Sequence, residues 1–585
     1  MFVTITAEVL VVGGGTGGTA AAIQAARRGA QTVLVSAGPW LGGMLTAAGV
    51  AAPDGNELVA LRTGIWGAYL QALRQRQVGG LDWSWVSLFA YDPRVGAQIF
   101  ADWVQALPNL RWLVGQVPLE VQRVGDRLAS VRFPDYEIRA DVILDGTELG
   151  DLLALGDVPH RWGWEWQAEF DEPSAPVAAN ELTERYPVQA PTWVAILQDY
   201  GEIAPAIAAP PTADPNCFTG AWDGYGGEPF LHYGRLSSDL FMLNWPQQGN
   251  DWGDRLDRLL TSEAARREWQ QEARWHSQAF ARYIQENLGS RYGLASAVFP
   301  DPASPGLALQ AYYRESRRLR GLATVTERDI LPRAGGQVAA LPMNKQGEMS
   351  AIALGNYPND HHYPGVEFPL APKSMRWGGR WTGTPFAIPY EALIPATVDG
   401  LLACEKNISV SHIANGATRL QPIVMGIGQA AGMAAALCVE QGCQPRELSV
   451  RALQAALLTD PDAPAAIIPL LNLPPEHPQW VQWQCEYGDR PDTYPLDGNC
   501  PCDSNFSSEV AVGHFYTGYF SASEAGDYRL DLTDSSAPKR HWSLITARPE
   551  VARRLADFPN GKTLGVWAYP NAAGGWLLAE KLQLG

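Results

Sequence analysis

Five of six consecutive residues near the amino terminus are glycine, in the run Gly13-Gly14-Gly15-Thr16-Gly17-Gly18. Glycine loses more conformational freedom on ordering than any other residue, so the flanks decide what such a run becomes. Glu8-Val9-Leu10-Val11-Val12 has the length and branching of a buried parallel strand. An alanine-rich helical stretch then runs to Arg28 and stops at Gly29, and Thr32-Val33-Leu34-Val35 reads as a second buried strand. Gly13, Gly15 and Gly18 stand at the G-x-G-x-x-G spacing, which supplies a tight turn, close approach to a pyrophosphate, and a helix packed hard on its strand. The helix that follows presents free amides and a positive dipole end, which receive phosphate. The sequence thus predicts a dinucleotide site at Gly13, Gly15, Thr16, Gly17 and Gly18. A glycine-rich turn in a ligand-free α/β domain is the plain alternative. Ser36 stands where such units usually end in Asp or Glu, so the ribose is offered one hydroxyl in place of a carboxylate.

Composition narrows the partners. The 585 residues carry 44 basic and 62 acidic side chains, a net charge of −18 that disfavours nucleic acid and anionic membrane surfaces. No run of about 20 uninterrupted apolar residues suggests a membrane span. The amino terminus lacks the cationic region of a signal peptide, and seven cysteines in this length do not make a disulfide scaffold. A reducing, cytoplasmic location is expected. Twenty-two tryptophans suggest aromatic-walled cavities or an enlarged core.

The choice of cofactor depends on later segments. Leu41-Gly42-Gly43-Met44-Leu45-Thr46 is a glycine-rich loop where flavoproteins of the glutathione-reductase type run backbone beside the isoalloxazine, which places Gly42, Gly43 and Met44 there. Strand-like segments around 110–133 lead to the strand 140–145, and its Asp-Gly-Thr-x-x-Gly-Asp ending puts Thr147 at the nucleotide domain. Residues 400–404 give a further buried strand, and the small-residue helix around 426–436 is expected to pack closely on the first helix. Its amino end, at Gln421 and Pro422, is placed to point a dipole at the flavin N1–C2=O edge. Three more passages carry a resemblance: Tyr313-Arg314-Glu315-Ser316-Arg317-Arg318-Leu319-Arg320-Gly321, the stretch 385–395, and Asn407-Ile408-Ser409 through Gln421-Pro422. With the glycine turn they make the chain resemble the FAD-dependent oxidoreductases of the FAD_oxidored type, related more distantly to the fumarate reductase and succinate dehydrogenase flavoproteins. The resemblance implies bound FAD and redox chemistry. The expected fold is α/β, a Rossmann-like FAD-binding domain with an inserted α+β substrate domain and a small C-terminal β-rich domain. The divisions are 1–160 and 396–460 for the FAD-binding domain, 161–310 for the insertion, 311–395 for mixed segments, and 475–585 for the accessory domain after a proline-rich linker at 470–478.

Polar candidates for a small-molecule substrate fall in three clusters. Arg314 and Arg318, read as i, i+4 on a helix, are suited to grip a carboxylate, or to tie domains together through acids. His412 and Arg419 lie in a passage similar to the fumarate reductase-type His…Asn-Arg-Leu, in which His and Arg hold a substrate carboxylate; here Gly-Ala-Thr separates Asn415 from Arg419. His361 follows Asp360 in a loop bounded by Pro358 and Pro364 and suits general-base work. No metal site is expected, since His361 and His362 are adjacent and project apart. The long helix from about Ser262 to Leu288 reads as core. With no second G-x-G-x-x-G for a nicotinamide, the electron acceptor is left to dioxygen, a quinone or a protein. The leading expectation is hydride transfer between a small polar molecule and flavin N5. The alternatives are a flavin-binding protein with incidental redox activity and a redox-neutral polysaccharide-acting enzyme.

Overall fold

A computed structural model describes residues 2–212, 214–237, 239–372, 374–502, 513–534 and 539–583. Strand β1 (Val3–Val12), helix α1 (Thr16–Arg27) and β2 (Thr32–Ser36) form the opening unit. Val9 to Val12 and all of β2 are buried, as apolar parallel strands covered on both faces must be. Strands β3 (Leu110–Val114), β4 (Glu120–Val124), β5 (Arg127–Arg132) and β6 (Tyr136–Asp145) complete the order β3-β2-β1-β6-β5-β4. β1 lies parallel to both β2 and β6, with Val12 opposite Val35 and Asp145. Their carboxyl ends therefore open on one edge, where open α/β sheets bind ligands. β4 and β5 form an antiparallel excursion from that sheet.

The chain then builds a second layer. β7 (Ala195–Asp199) pairs antiparallel with β8 (Leu240–Leu243) and with β9 (Tyr292–Leu294). Helix α2 (Glu263–Leu288) has the expected limits: Ser262 Oγ accepts from Ala265 N–H at 3.1 Å and caps it. α2 buries Trp269, Phe280 and Ile284, so its aromatic stripe is core. β10 (Ala351–Asn356) and β11 (Pro385–Pro389) pair antiparallel. β12 (Leu401–Ala403) returns to the first sheet, parallel to β6 with Ala403 opposite Asp145.

Two helices follow, α3 (His412–Thr418) and α4 (Gln421–Gln441). A Cβ on Gly428 would lie 2.1 Å from the Gly17 carbonyl oxygen, and one on Gly432 would lie 2.2 Å from that of Ala21. Only glycine lets α4 meet α1 backbone to backbone. With mean hydropathy 1.7, α4 is apolar and long enough to cross a bilayer, yet 89% of its most apolar window is buried inside the protein.

The proline-rich stretch expected as a linker is packed instead. Leu470, Leu471 and Leu473 are at most 1% exposed and belong to the main core. Burying three leucines outweighs the lack of regular structure that prolines impose. The C-terminal unit starts later than expected, as a closed barrel of β13 (His514–Ala522), β14 (Tyr528–Leu532), β15 (His541–Ile545), β16 (Thr563–Asn571) and β17 (Trp576–Gln583), ordered β13-β14-β15-β17-β16. It has its own core, including Phe520, Leu530, Leu544, Val566 and Leu577. Part of the range expected for this unit, 503–512, lies outside the described residues.

Candidate active site

The glycine turn closes on the loop after β2. Gly13 has φ +111°, and its N–H donates to Val35 O at 2.8 Å. A Cβ on Gly17 would sit 1.8 Å from the Cys404 carbonyl oxygen, and one on Gly18 would sit 2.1 Å from that of Gly13. Thr16 Oγ1 donates to Gly42 O at 2.8 Å, and Gly42 N–H donates to Gly14 O at 3.1 Å. A Cβ on Gly43 would come within 2.7 Å of Gly15 Cα. Gly13, Gly15, Thr16, Gly17, Gly18, Gly42 and Gly43 are thus brought together at the sheet edge, with Met44 wholly buried beside them. Ser36 is occupied: its hydroxyl donates to Gly38 O at 2.9 Å and accepts from Trp112 Nε1 at 2.9 Å. Thr147 is tied as well, donating to Asp145 Oδ1 at 2.6 Å and accepting from Asp151 N–H at 2.7 Å.

Sequence reasoning missed a buried charge cluster at the same edge. Glu405 Oε2 accepts from Gly17 N–H at 2.7 Å. Lys406 Nζ lies 3.0 Å from Glu405 Oε1 and 2.6 Å from Glu148 Oε2. Burial raises the Glu405 carboxyl above its usual range. Burial opposes the charge on Lys406, but Glu148 and Glu405 outweigh it and hold the ammonium above its ordinary value. The available signal was position: Glu405 and Lys406 directly follow the strand that ends where α1 begins.

From Gly428, beside Gly17, α4 runs back seven residues to Gln421, roughly 10 Å at ~1.5 Å per residue. There a cavity of about 130 Å³ is walled in part by Asp54, Tyr312, Arg314, Asp360, His361, His362, Arg419 and Gln421. Arg419, at the carboxyl end of α3, donates to Tyr312 Oη at 2.6 Å and to Asp360 O at 3.2 Å. Arg314 donates to Thr192 Oγ1 at 2.9 Å and to Asn244 Oδ1 at 3.1 Å, and it pairs with Asp251 at 3.1 Å. The Tyr312 ring lies 4.7 Å from the Arg314 guanidinium and 6.0 Å from that of Arg419. His362 Nδ1 faces Asp251 Oδ2 at 2.7 Å, and its Nε2 faces Asp360 Oδ2 at 2.8 Å. Burial works against the charge on Asp360, but His362, Arg419 and Arg314 overcome it and hold that carboxyl well below the usual range.

His361 reaches the cavity wall without a free ring nitrogen. Its Nε2 donates to Ile413 O at 3.0 Å, so in the neutral ring Nδ1 accepts from Tyr363 Oη at 2.7 Å. Burial and the neighbouring His412 lower its pKa to about 3, which keeps the ring neutral. The general-base role expected of His361 therefore has no nitrogen to act through. His412 does not line the cavity. It is buried behind His361, with Nε2 at 2.6 Å from Tyr363 Oη, Nδ1 at 2.9 Å from Glu315 Oε1 and Trp164 against its ring at 3.8 Å. Burial pushes Glu315 up to about 7 and lowers His412 well below its usual value.

The arginine block is not helical. Residues 311–320 are irregular apart from a two-residue strand at Arg318–Leu319. Arg314 enters the cavity, Arg317 pairs with Asp151 at 3.1 Å, and Arg318 pairs with Glu165 at 2.9 Å and Glu315 at 3.1 Å. Buried cations must each reach a carboxylate, and these acids lie in different directions, so pairing overrides the i, i+4 reading. Among the described residues no group of His, Cys, Asp and Glu could hold a metal, and none of the cysteines is in a disulfide.

Strand, glycine turn, helix and returning parallel strands define a dinucleotide-binding α/β protein of the Rossmann type. More particularly, the chain belongs to the FAD dependent oxidoreductase family, whose model matches residues 8–457, and its cofactor is FAD. No curated protein matches it. Among solved structures it is similar to p-nitrophenol 4-monooxygenase PnpA from Pseudomonas putida DLL-E4, at 15% identity over 34% of this chain and 49% of that one, with TM-score 0.23. It is also similar to thioredoxin reductase from Lactococcus lactis, at 16% identity over 24% of this chain and 35% of that one, with TM-score 0.16. The chain spans less than half the length of either. The unpartnered polar atom at the cavity fits FAD. At the glycine turn Glu405 already holds the Gly17 amide and stands 2.5 Å from where a Gly15 Cβ would lie, while at the other end Gln421 Oε1 is buried at the cavity with no hydrogen-bond partner.

Proposed function

We propose that the cavity is the substrate site of an FAD-dependent oxidoreductase acting by hydride transfer on a small polar organic molecule with an anionic group. The observation that carries this reading is the pair of guanidiniums in the cavity wall: Arg314 and Arg419 each keep a buried Nε with no acceptor. A carboxylate satisfies such donors and is oriented by them, which sets the reacting carbon. Tyr312, placed by both guanidiniums, donates its phenolic proton to the same ligand. Gln421, Gly15, Thr16, Gly42 and Gly43 would hold the FAD, which would supply a two-electron acceptor when bound. The small volume supports a metabolite-sized substrate, and no lining residue is a tryptophan, so the cavity does not favour a polysaccharide. Trp66, Trp193 and Trp269 are instead buried in the core.

Anaerobic mixing of FAD-loaded protein with 2-hydroxy acids, 2-amino acids, alcohols and sugars tests the reading through flavin bleaching at about 450 nm. Bleaching is expected with an anionic donor. Arg419→Met should retain FAD while raising the half-saturating donor concentration about 10- to 100-fold, the ~1.5–3 kcal/mol of a charged hydrogen bond. If no donor bleaches the flavin, the redox reading is wrong.

A further inference from the structure

One carboxyl group in the cavity has no assigned task. Asp54 sits in a loop held from several sides: Pro53 O accepts from Ser87 Oγ, Asn56 N–H donates to Asn356 O at 3.2 Å, and Asn56 Nδ2 donates to Leu354 O at 3.2 Å. Gly55 between them takes φ +87°, a left-handed turn that leaves Asp54 at the cavity wall. Among the described residues neither oxygen of Asp54 has a hydrogen-bond or ion-pair partner.

The other candidates for proton transfer are committed. Asp251 and Asp360 are bridged by His362 and paired with Arg314 and Arg419. His361 has both nitrogens bonded. Burial raises the Tyr233 and Tyr357 phenols well above their usual value, so they remain protonated and serve as donors. We propose that Asp54 is the catalytic base of this site and takes the O–H or N–H proton of the substrate. The balance is complete. The carbon loses its hydrogen with the electron pair to the flavin, the heteroatom loses its proton to Asp54, and the C–O or C–N single bond becomes double. In the reverse direction Asp54 returns the proton. Burial, then the nearby Glu57 and Asp360, raises the Asp54 carboxyl well above its usual range against Arg380 and Arg419.

This assignment rests on the redox reading, and the experiment separates the two. FAD-loaded Asp54→Asn should slow bleaching by any donor that reduces the wild type by about 10²–10⁴-fold and abolish its rise with pH. Asp54→Glu should restore part of the rate and the pH dependence. Acetate, which has no hydride to give, serves as a binding probe followed by flavin absorption. Its affinity should fall about tenfold per pH unit above the Asp54 pKa in wild type, as a second negative charge forms, and should be independent of pH in Asp54→Asn. Asp54→Asn that bleaches at the wild-type rate, or matching acetate profiles in the two proteins, overturns the role of Asp54 alone. Wild-type flavin that no donor bleaches overturns the redox reading and this base with it.

Discussion

Lys406 is a fully buried ammonium between Glu148 and Glu405, and Glu405 in turn holds the first turn of α1 through Gly17. Removing the cation leaves two carboxylates uncompensated in the interior. Lys406→Met is therefore expected to cost ~3–5 kcal/mol, measured as a lower urea midpoint with an unchanged slope. Gly17 is constrained by backbone rather than charge. Its missing Cβ would overlap the Cys404 carbonyl, which the chain presents just past the end of β12. Gly17→Ala should yield protein that no longer retains FAD, read as the ratio of flavin to protein absorbance after gel filtration. The glycine turn was legible in the sequence because its demands are local: a positive φ, a close approach, a helix start. The Glu405–Lys406–Glu148 cluster was not, because Glu148 lies 258 positions before Lys406 and no spacing rule joins them.

Among elements, the pair α1 and α4 sets where the nucleotide edge meets the cavity. Gly428 and Gly432 let α4 lie against the carbonyls of Gly17 and Ala21, and this contact places Gln421 at the cavity. Gly432→Val would force the helices apart far from any ligand. The expected loss is ~1–3 kcal/mol of stability, the usual range for overpacking, accompanied by weaker FAD retention. A variant as stable as wild type, with full flavin, would refute the importance of that contact. Elements with a clear period were legible: α2 from about Ser262 to Leu288 and the buried strands around the glycine turn. The arginine block was misread because its partners, Asp251, Glu165 and Asp151, lie 63 to 166 positions away and dictate an irregular path. Residues 470–478 were misread for the opposite reason. Prolines hide the period, while the leucines between them have a core to fill.

Across the whole molecule, buried carboxyls recur where its parts join. Asp145 ends β6 at the nucleotide edge and is raised to about 7 by burial. Glu172, also at about 7 through burial, accepts from Ser411 at the start of α3. Glu315, near the same value, supports His412. Asp82 is raised by burial to about 6 and anchors the barrel, accepting from Trp576 Nε1 at 2.9 Å and Asn571 Nδ2 at 2.6 Å. The barrel also meets the segment that follows Asp54, where Val59 N–H donates to Ala547 O at 2.9 Å. In the unfolded chain such carboxyls titrate near ~4. Folding raises them, so their contribution to stability is fully present below about pH 4 and is lost as pH rises through the folded values of about 6 to 7. Asp251 and Asp360 are lowered by their cationic partners and act oppositely, but only as pH falls below ~4. The net charge of −18 adds self-repulsion in the alkaline direction. The urea midpoint should therefore be higher near about pH 5 than near about pH 8 at equal ionic strength, and Glu315→Gln should flatten part of that slope. A midpoint that rises between those two values would show that these carboxyls are ionised in the folded protein and paired with cations.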